Sequence, residues 1–182
     1  TSDALRLLLL WKYGGTYLDT DMIVRRNFKH LPQNFICKDH GFLNGAIMNL
    51  SKKSRAKFTQ KLIEDMIENF DGNAWGTNGP ILLQRVFKEI CKTNDVKEMN
   101  ECDGFHIFPQ DVCYPVGGLK WEQLFDEQIT DEIVHKLSDS FVVHFWNKLS
   151  QNKKLKCNSS AAYTHLALQF CPKTMALCKD VF

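Results

Sequence analysis

The chain has 182 residues, of which 44% are hydrophobic and 24% charged, and its formal net charge is +2. This is enough apolar material for one domain with a real core, and it excludes a disordered chain. The charges form no basic block, so nucleic acid is not expected as a partner, and no apolar run approaches the roughly 18 residues of a membrane span. From its start, the segment Ser2-Asp3-Ala4-Leu5-Arg6-Leu7-Leu8-Leu9-Leu10-Trp11-Lys12-Tyr13 reads as a helix. Ser2 or Asp3 can cap it, Gly14 suits the position after its end, and its nearly continuous apolar residues predict burial. Asp3 and Arg6 interrupt that run. They lie three apart and share a face, and burying both costs on the order of several kcal/mol unless they pair or meet a ligand.

After Gly14-Gly15 comes a short strand that stops on Asp19-Thr20-Asp21. Residues i and i+2 of a strand project to one face, so the two carboxylates point to one side, where a cation can sit. Hard oxygen ligands of this kind suit Mg²⁺ or Mn²⁺, which keep positions open for phosphate oxygens. Met22-Ile23-Val24 continues as strand, Phe35-Ile36-Cys37 is another, and residues 41–50 form a third that passes close to something at Gly45. Residues 51–70 are the clearest helix, with Phe58, Leu62, Met66 and Phe70 recurring every four. Pro80 opens a second helix whose buried face is Ile81, Leu82, Leu83, Val86, Phe87 and Ile90, with Asn78 as its cap. Residues 93–103 read as a polar loop, Phe105-His106-Ile107-Phe108 as a strand, 121–125 and 131–137 as short helices, 141–146 as a strand and 160–170 as a last helix. Strands and helices alternate, which gives the α/β class.

Seven cysteines is a high count for this length. Cys91 and Cys102 are spaced for a local bridge, and the odd total leaves at least one thiol free or paired elsewhere. Two glycosylation sequons, Asn49-Leu50-Ser51 and Asn158-Ser159-Ser160, favour a lumenal protein together with the cysteines.

Several motifs in order carry a resemblance over nearly the whole chain. They are Ser2-Asp3, Arg6, Gly14-Gly15, Tyr17-Leu18-Asp19-Thr20-Asp21, Trp75-Gly76-Thr77-Asn78-Gly79-Pro80, Cys113-Tyr114-Pro115 and Val143-His144-Phe145-Trp146-Asn147-Lys148. The sequence resembles the DxD-containing glycosyltransferases of GT-A fold, in the group of alpha-1,4-galactosyl- and alpha-1,4-N-acetylglucosaminyltransferases. The resemblance implies a Rossmann-like GT-A catalytic domain, here a single partial one over residues 1–182. Residues 1–50 would be the DxD sugar-donor region and 51–182 the C-terminal region, and the N-terminal nucleotide-binding strands would be missing from this fragment. It also implies a UDP-sugar donor, a glycolipid or glycan acceptor, an alpha-1,4 linkage made with retention, and a Golgi membrane enzyme acting on the lumenal side, anchored by a segment absent from this chain.

The same resemblance distributes roles. Glycosyl transfer needs the departing diphosphate neutralised, the donor sugar held by its hydroxyls and the acceptor hydroxyl positioned. For the metal, Mn²⁺ or Mg²⁺, the expected ligands are Asp19, Asp21 and His144. Asp3, Arg6, Asp19 and Trp146 are expected at the donor sugar, and Asn44, Gly45, Trp75 and Gly79 at the acceptor. No catalytic nucleophile stands out. Asp111 and Asp126 are further acids of the region, and same-face attack with the departing phosphate taking the proton is favoured. Two other enzyme and binding classes fit poorly. Ile23 occupies the position where a DxD-nucleophile phosphatase carries Thr or Val, and it fills the third ligand position of an EF-hand. A non-catalytic sugar-binding module is the remaining alternative.

Overall fold

The computed structural model describes residues 2–181. They pack as two compact units, Thr1–Asp19 with His30–Gln110 and Thr20–Lys29 with Asp111–Phe182.

In the first unit, α1 (Ser2–Tyr13) ends where Gly14, at φ +65°, donates its N–H to Leu10 O at 2.8 Å. Gly15 follows at φ +83°, so two successive left-handed residues turn the helix into β1 (Gly15–Leu18), a path that side chains with a Cβ resist. The sheet runs β1-β4-β3-β6-β5, with β3 at Phe35–Asp39, β4 at Phe42–Leu50, β5 at Glu101–Cys102 and β6 at Phe105–Phe108. Only β3 and β6 pair in parallel. Helices α2 (Arg55–Glu68) and α3 (Pro80–Cys91) close the core around Leu7, Leu10, Met48, Leu62 and Phe87. Each such side chain contributes about 1.5–3 kcal/mol by leaving water. Rings of Phe58, Phe87 and Phe105 meet at 4.3–5.5 Å between centroids.

Three expectations change here. Helix α1 is not buried all round: Arg6, Leu7 and Leu10 are, while Leu5, Leu8, Trp11 and Tyr13 are half exposed or more. A helix with 3.6 residues per turn shows only one stripe to a single core. The helix expected over 51–70 is shorter, Arg55–Glu68, and Ile67 and Phe70 face solvent. Within the expected loop 93–103, Glu101–Cys102 pairs as β5 beside the Cys91–Cys102 disulfide.

In the second unit, β2 (Met22–Val24) pairs antiparallel with β7 (Val142–His144), and Met22 stands opposite His144. Around this ribbon lie α4 (Gln110–Cys113), 3₁₀ turns at Gly118–Phe125 and Glu127–Ile129, α5 (Thr130–Lys136), α6 (Asn147–Ser150), α7 (Ala162–Phe170) and α8 (Pro172–Met175). The core is Leu124, Ile133, Leu137, Val143, Ala162 and Leu166. The expected strand over 141–146 keeps only its centre, because Trp146 adopts φ +54° and turns the chain into α6. Cys157 and Cys178 form a second disulfide, and Cys171 is a free thiol. No described helix is long and apolar enough to cross a membrane.

Candidate active site

The first unit gathers three motif residues, Asp3, Tyr17 and Asp19, around the guanidinium of a fourth, Arg6. Arg6, only 7% exposed, donates from Nη1 to Asp3 Oδ1 at 2.7 Å and from Nη2 to Asp19 Oδ1 and Oδ2 at 3.0 and 3.2 Å. Tyr17 donates its hydroxyl to Asp19 Oδ1 at 2.8 Å and lays its ring 5.1 Å from the Arg6 Cζ. Burial alone would push the Arg6 pKa down, but Asp19 and Asp3 outweigh it and hold it above the ordinary value. Burial, and then the hydrogen bond to Asp19, push the Tyr17 hydroxyl up to about 12. The ion pairing required by a buried Asp3–Arg6 face is therefore formed, and Asp19 joins it.

Two glycines make room for this network. An added Cβ on Gly45 would stand 3.0 Å from Arg6 Nη1, and one on Gly79 would stand 3.1 Å from Asp3 Oδ1. The close approach expected at Gly45 is thus to Arg6. Gly45 and Gly79, expected at an acceptor rim, are buried against the residues expected at the donor sugar. Asn44 accepts the Ala46 N–H at 2.9 Å, while Trp75 is 81% exposed. Asn78 does not cap α3. Its side chain closes the preceding loop instead, accepting from Asp71 N and donating to Asp71 O, and Gly79 takes the cap position.

The second unit carries Asp21 and His144. Asp21 Oδ2 accepts the Asn147 backbone N–H at 2.7 Å and lies 3.2 Å from His144 Nε2. Its backbone carbonyl accepts the Phe145 N–H at 3.0 Å. Burial raises the Asp21 carboxyl, but the hydrogen bond and charge of His144, followed by the Asn147 N–H, outweigh it and leave the pKa below the usual carboxylate value. The His144 ring is buried between Trp146, 4.0 Å between centroids, and Tyr114, 5.9 Å. Trp146 in turn donates its indole N–H to Val116 O at 3.0 Å. It is the wall of His144 in this unit.

These residues suit a divalent cation. A carboxylate and an imidazole are both ligands that divalent cations accept. His144 Nδ1 is buried without a hydrogen-bond partner, so the ring is fixed by packing and by Nε2, the nitrogen that faces Asp21. Asp19 follows two residues before Asp21 in the chain.

Sequence reasoning passed over Tyr17 and Asn147. Tyr17 precedes Asp19 by two, the spacing that puts side chains on one side of an extended chain, a signal that was available. The Asn147 contact comes from a backbone N–H released by the turn at Trp146, and side-chain identity does not encode it.

Comparison with known proteins gives two family matches. A model described as the alpha 1,4-glycosyltransferase conserved region matches residues 51–178, and one described as the glycosyltransferase sugar-binding region containing DXD motif matches residues 1–38. The chain is 37% identical over 173 residues to the lactosylceramide 4-alpha-galactosyltransferase of Rattus norvegicus, covering 95% of this chain and 48% of that protein. It is 35% identical to the Homo sapiens protein of the same name, with the same coverage of 95% and 48%. It is 26% identical over 179 residues to the Homo sapiens alpha-1,4-N-acetylglucosaminyltransferase, covering 96% of this chain and 50% of that protein. The chain spans about half the length of these relatives. No solved structure matches it.

Proposed function

The chain belongs to the alpha-1,4-glycosyltransferase family, and we propose that it is the partial GT-A catalytic domain, residues 1–182, of an enzyme that moves a hexose from a UDP-sugar to a terminal galactoside or related acceptor. The linkage made is alpha-1,4, with retention. Galactose is the first choice of hexose because the relatives of higher identity are galactosyltransferases, and an N-acetylhexosamine is the second because one relative is an N-acetylglucosaminyltransferase. A glycolipid acceptor follows from the lactosylceramide in the relatives' name. The Golgi lumen fits the disulfides, which persist in oxidising compartments.

The observation that carries this reading is the environment of Asp21, the second carboxylate of the DxD, kept ionised by His144 and the Asn147 N–H. Asp21 and His144, with Asp19, would hold Mn²⁺ or Mg²⁺, and a bound cation supplies neutralisation of the charge that develops on the departing diphosphate. Asp3, which meets Arg6 through Oδ1 and is partly open to solvent, accepts sugar hydroxyls. Arg6 fixes the directions of Asp3 and Asp19, and Gly45 and Gly79 leave it space. Trp75, open to solvent, offers a ring to the acceptor, and Asn44 stands beside Gly45 in β4. The acceptor oxygen attacks the anomeric carbon on the face from which the diphosphate departs. The bond between that carbon and the diphosphate oxygen breaks, and the acceptor proton passes to the leaving diphosphate. Asp126 is no nucleophile in this scheme, because its carboxylate accepts the Gln128 N–H and starts a 3₁₀ turn.

Titration calorimetry with UDP, with and without Mn²⁺, tests the reading on this chain and on Asp21→Ala. Binding that requires Mn²⁺ and disappears in Asp21→Ala is expected. UDP binding indifferent to both would remove the metal site, and galactoside binding without any UDP binding would make the chain a sugar-binding module.

A further inference from the structure

The second unit contains a cavity of about 350 Å³ beside Asp21 that none of the expected site residues other than Asp21 explains. We infer that it is a subsite for a neutral pyranose ring of the acceptor, an inference that rests on the transferase reading above.

Three aromatic side chains belong to its lining: Phe125 and Tyr163 lie stacked at 5.1 Å, and Phe145 meets Tyr163 edge to face at 4.7 Å. Its polar side chains include Lys153, Asp21 and the exposed Asn147 and Gln151, whose amides donate and accept, Gln151 Nε2 donating to Lys148 O at 3.3 Å. Ring carbons together with amides suit a sugar ring, whose C–H bonds gather on one face and whose hydroxyls radiate from its edge. Lys153 is the one cationic side chain of the lining, and the Asp21 carboxylate opposes it. The position suits an acceptor, because Asn147 lines the cavity and its own backbone N–H holds Asp21. Asp21 lines the cavity as well, so a ring there lies beside the carboxylate assigned to the cation.

Cys171, the free thiol, lines the same cavity and reports on its occupancy. The experiment follows the rate at which a maleimide labels Cys171 in the unreduced chain as lactose is added, with sorbitol at equal concentration as control. A specific ligand at about ten times its Kd slows labelling about tenfold. That protection is expected for lactose, is absent for sorbitol, and is weakened in Gln151→Ala, whose exposed side chain can be removed without disturbing the core. Labelling indifferent to lactose overturns the subsite, and so does protection by decanoate in place of lactose, which would assign an acyl chain. UDP titration with Mn²⁺ on the same preparation separates the two failures. Intact UDP binding with lactose-insensitive Cys171 removes the subsite alone, whereas loss of both removes the transferase reading as well.

Discussion

Gly79 and Asp3 are fitted to each other, since a Cβ on Gly79 would stand 3.1 Å from Asp3 Oδ1. The same relation holds between Gly45 and Arg6 at 3.0 Å, with Leu83 Cδ1 at 3.2 Å on the other side. Alanine at either position must displace an ion-paired side chain. Overpacking of this kind costs about 1–3 kcal/mol. Gly45→Ala is expected at the upper end, because Arg6 is pinned by two carboxylates, and Gly79→Ala at the lower end, because Asp3 is partly exposed and can shift. Urea unfolding midpoints measure both, and equal stability of Gly45→Ala and the parent chain would disprove the fit.

Arg6→Met leaves Asp3 and Asp19 facing each other without their cation. The expected loss is about 2–3 kcal/mol, below the full penalty of a stranded buried charge because both carboxylates reach some water. Arg6→Lys should recover little of it, since one ammonium cannot span two carboxylates as a planar fork does. Equal stability of the lysine variant and the parent would contradict this.

Tyr17 gives a pH signature. Its hydroxyl ionises at about 12 in the fold against an ordinary 10.0, through burial and then Asp19. The folded state therefore holds the proton more tightly than the unfolded chain. The stability contributed is fully present below the ordinary value and is lost as pH rises through the folded one. Tyrosinate absorbance of the parent minus that of Tyr17→Phe should show a single late titration, and one near the ordinary value would break the link to Asp19.

Asp21 shows the opposite sign. Its folded pKa lies below the ordinary carboxylate value of 3.8. Its contribution is present above that value and disappears as pH falls through the folded pKa. Asp21→Asn should blunt the acid limb of the stability curve, measured by circular dichroism. In the same variant, UDP affinity should no longer respond to chelation of Mn²⁺, whereas in the parent chain chelation should abolish it.

Much of the local structure was legible because it depends on nearby residues. Gly14 closes α1 as the sequence predicts, Pro80 opens α3, and the i, i+3 spacing of Asp3 and Arg6 announces their pairing. What could not be read is what arrives from a distance. Gly79 packs on Asp3 across 76 positions of sequence, and Asn147 reaches Asp21 across 126. Trp146 looks like strand because its neighbours are apolar, yet its left-handed backbone is what frees the Asn147 N–H. The exposed side of α1 was misjudged for another reason: hydrophobicity reports a preference for burial, and a helix on a single core can satisfy it on one face only.

The Cys157–Cys178 bridge encloses, in sequence, α7 and α8 and with them the cavity residues Tyr163, Ala167, Cys171, Thr174 and Met175. Cys171 lies inside that loop as a thiol, so the segment holds a nucleophile able to attack its own cross-link by exchange through a mixed disulfide. Attack on either sulfur would join Cys171 to Cys157 or Cys178 and release the other as a thiol. Of the three pairings these cysteines can form, only the one present leaves Cys171 as the thiol that lines the cavity.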